Sequence, residues 1–211
     1  SDMKSYELQV GYGNDVRMAL DYVDKHTDYD VNLIWDYLLR TKNLTHIWQQ
    51  LQLEYVVSKD KVEEPYNYDK PIAVILHIYY EDLIERIAGY CENFPENTRF
   101  FITSVCESTK EKIEEIFSAK KLDYVCQVRP NVGVAMSTLW VTYADVVLSG
   151  KYEYILYFHD KKSPYGNYGL IHGDQFAERC YQTLVGSRCI ILNIINLLES
   201  NPRLGILGPP T

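Results

Sequence analysis

Four short segments of this sequence place polar and titratable side chains directly after apolar runs. They are residues 77–80, 103–104, 129–135 and 159–163. The last one begins with His159-Asp160-Lys161-Lys162, which supplies one imidazole, one carboxylate and two ammonium groups. Lysine ammonium groups act as point charges toward phosphate, so this segment could neutralise a diphosphate. A solvated cluster of charges at the end of a strand is the alternative interpretation of the same residues.

A second segment, Asn131-Val132-Gly133, precedes a predicted helix. The first-turn amide groups and the dipole of a helix favour phosphate, although a simple turn in which Asn131 and Gly133 accept positive φ explains the same residues. The candidate binding residues are His77, Tyr79, Thr103, Asn131, Gly133, His159, Asp160, Lys161 and Lys162. No residue is identified as a catalytic base.

The elements that must position these residues alternate between strand and helix. Apolar runs predict strands at Ile72–Leu76, Phe100–Thr103, Leu122–Val128, Tyr154–Phe158 and Leu204–Leu207. Two helices split at Gly186-Ser187 are predicted before the last strand. An amphipathic helix is predicted to bury Met136, Leu139, Trp140, Tyr143, Val146 and Val147. This alternation predicts an α/β fold with a mainly parallel sheet of core order 3-2-1-4, flanked by helices. Residues 77, 103, 131 and 159 should then share the rim at which the strands end.

The first part of the chain has a different pattern. Leu20 and Val23 recur at helical spacing, as do residues 33–38, and a third short helix is predicted at 44–51. Residues 58–70 show no periodicity and are interpreted as a linker. We therefore predict a helical N-terminal extension and linker over residues 1–69, and an α/β domain over residues 70–211.

Composition excludes some classes of partner. The formal net charge of −8 argues against a nucleic-acid partner, because such binding normally needs clustered Lys and Arg. The five cysteines are an odd number and lie far apart, which is typical of reduced thiols. No stretch approaches the roughly 20 apolar residues of a spanning helix, and the start of the chain lacks the pattern of a signal peptide. We therefore expect a cytoplasmic location.

Two longer stretches carry a family resemblance. They are residues 131–166, NVGVAMSTLWVTYADVVLSGKYEYILYFHDKKSPYG, and residues 184–210, LVGSRCIILNIINLLESNPRLGILGPP. They resemble the rhamnan synthesis F family, bacterial glycosyltransferases that build rhamnose-containing cell-surface polysaccharides, and the similarity covers nearly the whole chain. The resemblance implies a GT-A-like (Rossmann-like) fold. The family's Asn and Gly fall on Asn131 and Gly133, and its His-Asp-Lys-Lys falls on residues 159–162.

The resemblance implies transfer of a sugar, rhamnose above all, from dTDP-rhamnose or a UDP-sugar to a glycan. A lipid-linked glycan acceptor would put the protein at the inner face of the membrane, as a peripheral protein. GT-A enzymes usually hold Mg²⁺ or Mn²⁺ with two carboxylates, whereas the matching triplet here supplies Asp160 alone. A metal-independent mode, in which Lys161 and Lys162 face the diphosphate, is therefore the alternative.

One departure from the family pattern keeps other functions open. Relatives usually carry Arg-Asp where this chain has Val134-Ala135. The second hypothesis is accordingly a degenerate, non-catalytic module that docks partners within a larger polysaccharide-assembly enzyme. The third is an unrelated nucleotide-binding domain that acts as a scaffold. Binding of a nucleotide sugar separates the first hypothesis from the other two.

Overall fold

The computed structural model describes residues 19–43, 57–62, 69–133, 135–162, 173–202 and 204–209. The chain divides into two compact units, Ser1–Val56 and Val57–Thr211, which are described separately. In the first unit, α1 covers residues 19–26 of the described part, and α2 covers Asn32–Thr41. Both agree with the helical spacing in the sequence. The helix predicted at residues 44–51 lies outside the described residues.

The second unit is built on a four-stranded parallel sheet with the strand order β3-β2-β1-β4. Its strands are β1 (Ile72–His77), β2 (Thr98–Ser104), β3 (Tyr124–Val128) and β4 (Tyr154–His159). All six residues of β1 are buried, because this strand lies between β2 and β4 and is covered on both faces. The predicted α/β class and the predicted sheet order are both confirmed.

Helices cover both faces of the sheet. They are a 3₁₀ turn (Glu81–Leu83) leading into α3 (Ile84–Cys91), α4 (Glu107–Ala119), a π-helical turn (Thr138–Thr142) leading into α5 (Ala144–Leu148), α6 (Gly173–Val185) and α7 (Arg188–Ser200). Val74 and Leu76 pack with α3, α4, α6 and α7 in the larger core. Ala73 and Ile75 pack with Tyr143 in a smaller one. The predicted split between α6 and α7 at residues 186–187 is confirmed.

The π-helical turn corrects the predicted amphipathic helix. The Tyr143 N–H donates to the carbonyl of Thr138, five residues back, at 3.0 Å. One extra residue in a turn rotates the following side chains relative to a regular α-helix. Tyr143 is buried as predicted, and its hydroxyl donates to the Ile102 carbonyl at 2.8 Å. Met136 and Trp140 were predicted to be buried, but they are 48% and 61% exposed.

The predicted fifth strand is wrong. Residues 204–207 adopt no strand conformation, and the sheet of the described residues ends at β4. Ile206 is 90% exposed, so the apolar run does not enter the core as a strand. Apolar character favours a strand only where the backbone also reaches a neighbouring ladder, and Gly205, Pro202 and Pro209 weaken strand formation in and around this run.

Two further features concern the described residues as a whole. The five cysteines are free thiols, with Cys91 buried and Cys106 exposed. No single described helix is long and apolar enough to cross a membrane. Only the bent pair Phe176–Val185 and Arg188–Ser200, at 67° to each other, reaches the required length and composition together.

The segment before β1 is tied to α7 by one buried amide. The Nδ2 group of Asn193, which is 4% exposed, donates to the carbonyls of Ser58 and Lys61 at 2.9 Å each. The Ser187 hydroxyl donates to the carbonyl of Lys59 at 2.9 Å. The start of the non-periodic stretch is therefore fixed by side chains of a distant helix, although its own sequence shows no regular element.

Replacing Asn193 by Ala should lower the free energy of unfolding by about 1–3 kcal/mol, because two hydrogen bonds of a buried amide are lost, each contributing about 0.5–1.5 kcal/mol. The matched control is Asn196→Ala on the same helix, since the Asn196 Nδ2 group is buried and finds no partner among the described residues. Chemical denaturation of both variants measures the difference. Equal stability losses in the two variants would show that the Asn193 hydrogen bonds contribute nothing.

Candidate functional site

The carboxyl ends of the strands bring three predicted residues into one row. His77 of β1 is paired in register with Thr103 of β2 on one side and with His159 of β4 on the other. The ladder hydrogen bonds continue past the strand ends, where the Ile78 N–H donates to the Thr103 carbonyl and the Asp160 N–H donates to the His77 carbonyl. These contacts make the rim a continuation of the rigid sheet.

A chain of buried polar groups links this row to the π-helical turn. His77 Nδ1 lies 2.8 Å from Thr103 Oγ1, which lies 2.6 Å from Thr138 Oγ1. All three residues are buried. Burial lowers the pKa of His77, and the nearby His159 lowers it further. The environment therefore favours the neutral form of the His77 ring, and one ring nitrogen lies within hydrogen-bond distance of the Thr103 hydroxyl.

Asp160 joins the end of β4 to the loop after β1. It is 5% exposed, and its Oδ2 atom accepts the backbone N–H groups of Tyr79 and Tyr80 at 2.8 and 2.6 Å. Burial raises the pKa of this carboxyl, against the opposing effect of the two N–H donors. The carboxylate thus satisfies two backbone donors of the loop just before the 3₁₀ turn and α3. Asp160 therefore fixes the backbone of the rim.

The two predicted lysines have different surroundings. Lys162 Nζ forms an ion pair with Asp82 and lies 5.1 Å from the centre of the Tyr80 ring. Lys161 is exposed, lies 6.0 Å from the centre of the Phe176 ring, and has no ion pair with any described residue. A cavity of about 250 Å³ beside β4 is lined by Lys161, His159, Phe176 and Tyr181, among others. Lys161 is thus the lysine with charge available to a ligand.

The remaining predicted residues lie in the loops of the rim. Tyr79 is 43% exposed, and Asn131 is exposed in the loop after β3. Gly133 has φ +78°, a conformation that favours glycine, and an added Cβ would lie 3.2 Å from the Ser137 Cβ. The bend before the π-helical turn therefore requires Gly133. Whether Asn131 or Tyr79 binds a ligand stays a prediction.

The surroundings of Asp160 do not resemble a metal site in the part of the chain that is described. One carboxylate oxygen is committed to two backbone donors. No group of three His, Cys, Asp or Glu side chains among the described residues could hold a metal ion. Mg²⁺ and Mn²⁺ prefer several oxygen ligands, which these residues do not supply. The assignment of Asp160 as a metal ligand stays a prediction.

Thr138 was missed by the sequence reasoning, although it anchors the crossover helix to the rim. A threonine within a helical pattern is ordinarily interpreted as a neutral surface position. The apolar residues around Thr138 in the sequence could have indicated that its side chain is buried, and a buried hydroxyl needs a hydrogen-bond partner. Glu81 was also missed, because its partners lie on a helix that is distant in the sequence. It accepts from Ser108 at 3.0 Å and pairs with Lys112 at 2.7 Å, which fastens the loop after β1 to α4.

Acidification should destabilise the protein through His77. Its pKa in the folded state is lower than the ordinary value of 6.5, so the unfolded chain binds the proton more readily. This contribution to stability is fully present above pH 6.5 and is lost as the pH falls below that value. His77→Asn keeps a polar group near Nδ1 but removes the titration. Denaturation between pH 7.5 and 5 should show a shallower loss for His77→Asn than for the wild type. Parallel curves would contradict the buried neutral imidazole.

A comparison with known protein families identifies the family of the chain. The model of the family described as Rhamnan synthesis protein F matches residues 10–211. Comparisons with curated proteins and with solved structures give no match. The matched range includes the whole parallel sheet and every residue of the rim discussed above. The chain therefore belongs to the rhamnan synthesis protein F family, which implies a part in polysaccharide biosynthesis.

Proposed function

We propose that the rim binds a nucleotide sugar, and that the protein transfers the sugar, rhamnose in the first instance, to a growing cell-surface glycan. The observation that carries the proposal is the row His77, Thr103 and His159, with Lys161 beside it. In open parallel sheets, ligands bind where the strands end. Membership in a rhamnan synthesis family supports a sugar as the ligand.

The leaving group of such a transfer is a nucleoside diphosphate, which accumulates negative charge as the bond to the sugar breaks. The protein has a net charge of −8, so a diphosphate needs a local cation to overcome the overall repulsion. Lys161 fits this role because its charge is not neutralised by a described carboxylate. Lys162 already pairs with Asp82, so a ligand would have to compete for it.

The neutral groups of the rim suit the sugar or the base of the donor. His77 and Thr103 are buried and engage each other's polar atoms, so they hold the rim in place while the exposed side chains beside them meet the donor. The exposed Tyr79 ring offers an aromatic face for a base or a sugar. Asn131 adds an amide on the loop that Gly133 permits. The donor is dTDP-rhamnose or a UDP-sugar in this proposal.

The acceptor is a glycan or a lipid-linked glycan at the cytoplasmic face of the inner membrane. A carboxylate or another base must remove a proton from the acceptor hydroxyl, and the proposal assigns none of the described residues to that step. The lysine-based arrangement needs no metal to neutralise the diphosphate. Added Mg²⁺ or Mn²⁺ would then change the affinity for the donor only slightly.

A degenerate module that docks partners is the second candidate. The observation in its favour is Ala135, which is 5% exposed and lies where relatives carry an Asp. A buried methyl group cannot replace a carboxylate in a sugar or metal contact. In that case the sheet and the π-helical turn would be retained as a scaffold, and the rim would show no affinity for nucleotide sugars.

Calorimetric titration with dTDP-rhamnose and a UDP-sugar tests the proposal. Lys161→Ala should weaken binding about tenfold, since a contact to a charged group contributes about 1.5–3 kcal/mol and exposure reduces it. Lys162→Ala should have a smaller effect because of its ion pair with Asp82. Lys151→Ala, an exposed lysine before β4 at the opposite end of the sheet, is the control and should bind as the wild type does.

A wild-type protein that binds no nucleotide sugar at millimolar concentration, with or without Mg²⁺ or Mn²⁺, would overturn the proposal. The docking module would then be the better description. Equal losses in the Lys151 and Lys161 variants would show that the charge effect is not local to the rim.

A further inference from the structure

The polar row at the strand ends extends to the fourth strand of the sheet. Gln127 of β3 is paired in register with Thr103, so the complete row is Gln127, Thr103, His77 and His159. The smaller core includes the residues two positions earlier in the same strands, namely Val125, Phe101, Ile75 and Tyr157. Because side chains alternate between the two faces of a strand, the row lies on the face that carries this core. The row therefore crosses the whole sheet on one face.

Arg129 places a cation at the β3 end of this row. Its backbone N–H donates to the Ser104 carbonyl at 2.8 Å, which continues the ladder one residue past β3. Its Nη2 group donates to the Gln127 Oε1 atom at 2.7 Å. Residues two positions apart on an extended strand have side chains on the same face. The Arg129 guanidinium is therefore held above the β3 end of the row.

The charge of Arg129 is not neutralised within the part of the chain that is described. Arg129 is exposed, and its side chain bonds to the neutral amide of Gln127. Burial raises the pKa of Tyr143, and the Arg129 charge acts in the opposite direction, which agrees with a place beside the smaller core. Asp145 of α5 also influences Tyr143 but forms no ion pair with Arg129. The chain has 29 acidic residues, and none of those described pairs with this cation.

The groups that Arg129 and Gln127 still offer are all hydrogen-bond donors. The Gln127 Oε1 atom already accepts from Arg129, which leaves the Nε2 group of Gln127 without a hydrogen bond to a described residue. The remaining guanidinium N–H groups form a planar fork that matches the oxygens of a phosphate or a carboxylate. A phosphate monoester carries about −1.5 to −2 charge at pH 7, so it gains more from one cation than a carboxylate does. The pair is therefore suited to a phosphate group.

The position of Arg129 is separate from that of Lys161. The strands β3 and β4 lie at opposite edges of the sheet, three strand spacings or about 14 Å apart. Arg129 lies on the face of the smaller core, whereas Lys161 lies near Phe176 of α6, a helix that packs in the larger core. The two phosphorus atoms of a diphosphate share one oxygen, so a diphosphate bound at Lys161 does not extend to Arg129.

We infer that Arg129 and Gln127 form a second anion-binding position at the rim, which takes a phosphate group other than the diphosphate at Lys161. The inference goes beyond the proposed function, because it depends on the register of the sheet and on an unpaired cation, and it needs no nucleotide sugar at the other end of the row. A free phosphate and a phosphate carried by a lipid share this chemistry, and the experiments below distinguish them.

Calorimetric titration of the Lys161→Ala variant with inorganic pyrophosphate tests the inference, since binding near α6 is weakened in that background. Adding Arg129→Ala should reduce the affinity about fivefold, because a hydrogen bond to a charged group is lost from an exposed site. The matched control adds Arg99→Ala instead. Arg99 lies on the same face over the Phe101 ring, at the amino end of β2, and pairs with Asp123 at 3.7 Å. This control should bind pyrophosphate as the Lys161→Ala variant does.

Substitutions of Gln127 test the charge itself. Gln127→Glu keeps the shape of the side chain and an oxygen that accepts from Arg129, but it pairs the guanidinium with a carboxylate. Its pyrophosphate affinity should fall about as much as that of Arg129→Ala, while its melting temperature stays the same or rises. Gln127→Leu should cause a smaller loss, because the guanidinium keeps its charge and loses its orientation. Unchanged pyrophosphate affinity in Arg129→Ala and in Gln127→Glu would overturn the inference.

A water-soluble lipid phosphate identifies the source of the phosphate group. If geranyl phosphate binds more tightly than inorganic phosphate, and Arg129→Ala weakens both, the position serves a phosphate on an apolar carrier. Equal affinities for the two compounds, both reduced by Arg129→Ala, indicate a free phosphate.

Titrations with the sugar donor separate this inference from the proposed function. Arg129→Ala should leave the dissociation constant for dTDP-rhamnose unchanged, whereas Lys161→Ala should raise it. Phosphate binding through Arg129 in a protein that binds no nucleotide sugar would retain the second position and contradict the proposed function. Equal losses of donor affinity in the two variants would assign Arg129 to the donor site, and the second position would then be wrong.

Discussion

The hydroxyl of Thr103 is the contact on which the described site depends. It lies within hydrogen-bond distance of both His77 Nδ1 and the Thr138 hydroxyl, so it connects two central strands to the crossover helix. A buried hydroxyl that lost its partners would cost about 1–3 kcal/mol, which makes the connection costly to break. The polar chain therefore fixes the start of the π-helical turn against the ends of the central strands.

The loop after β1 is held from three sides. The Tyr79 and Tyr80 N–H groups bind Asp160. The following turn is fastened to α4 through Glu81, and to the segment after β4 through the ion pair of Asp82. Surface ion pairs alone contribute little, but here they add to a buried carboxylate with two backbone donors. Such a loop is ordered before a ligand arrives, so binding there would cost little conformational entropy.

The sequence predicted the sheet well because its signals are local. The uninterrupted apolar run of β1 indicates a central strand, and the right-handed crossover rule leaves few possible orders. Periodicity could not predict the π-helical turn, since a helical pattern assumes a regular repeat of 3.6 residues. The Thr138 side chain in this turn contacts Thr103 on a strand 35 residues earlier, and periodicity does not report such a contact. The strand predicted at residues 204–207 is absent from the structure. Apolar composition suggested it, but composition does not show whether a neighbouring strand is close enough to form hydrogen bonds. Asp160 was found by its position, but its backbone partners come from residues about 80 positions earlier.

The central position of β1 in the sheet has a consequence for folding during synthesis on the ribosome. The run from Ile72 to Leu76 leaves the ribosome first, whereas the partner strand β4 appears only after β2, β3 and three helical crossovers have been made. Until then one edge of a wholly apolar β-strand has no native neighbour, and such a segment pairs readily with other chains. Long-range parallel pairing is also slow. The arrangement that gives the finished sheet its rigid rim thus leaves one edge of this strand open to wrong pairing until β4 has been synthesised.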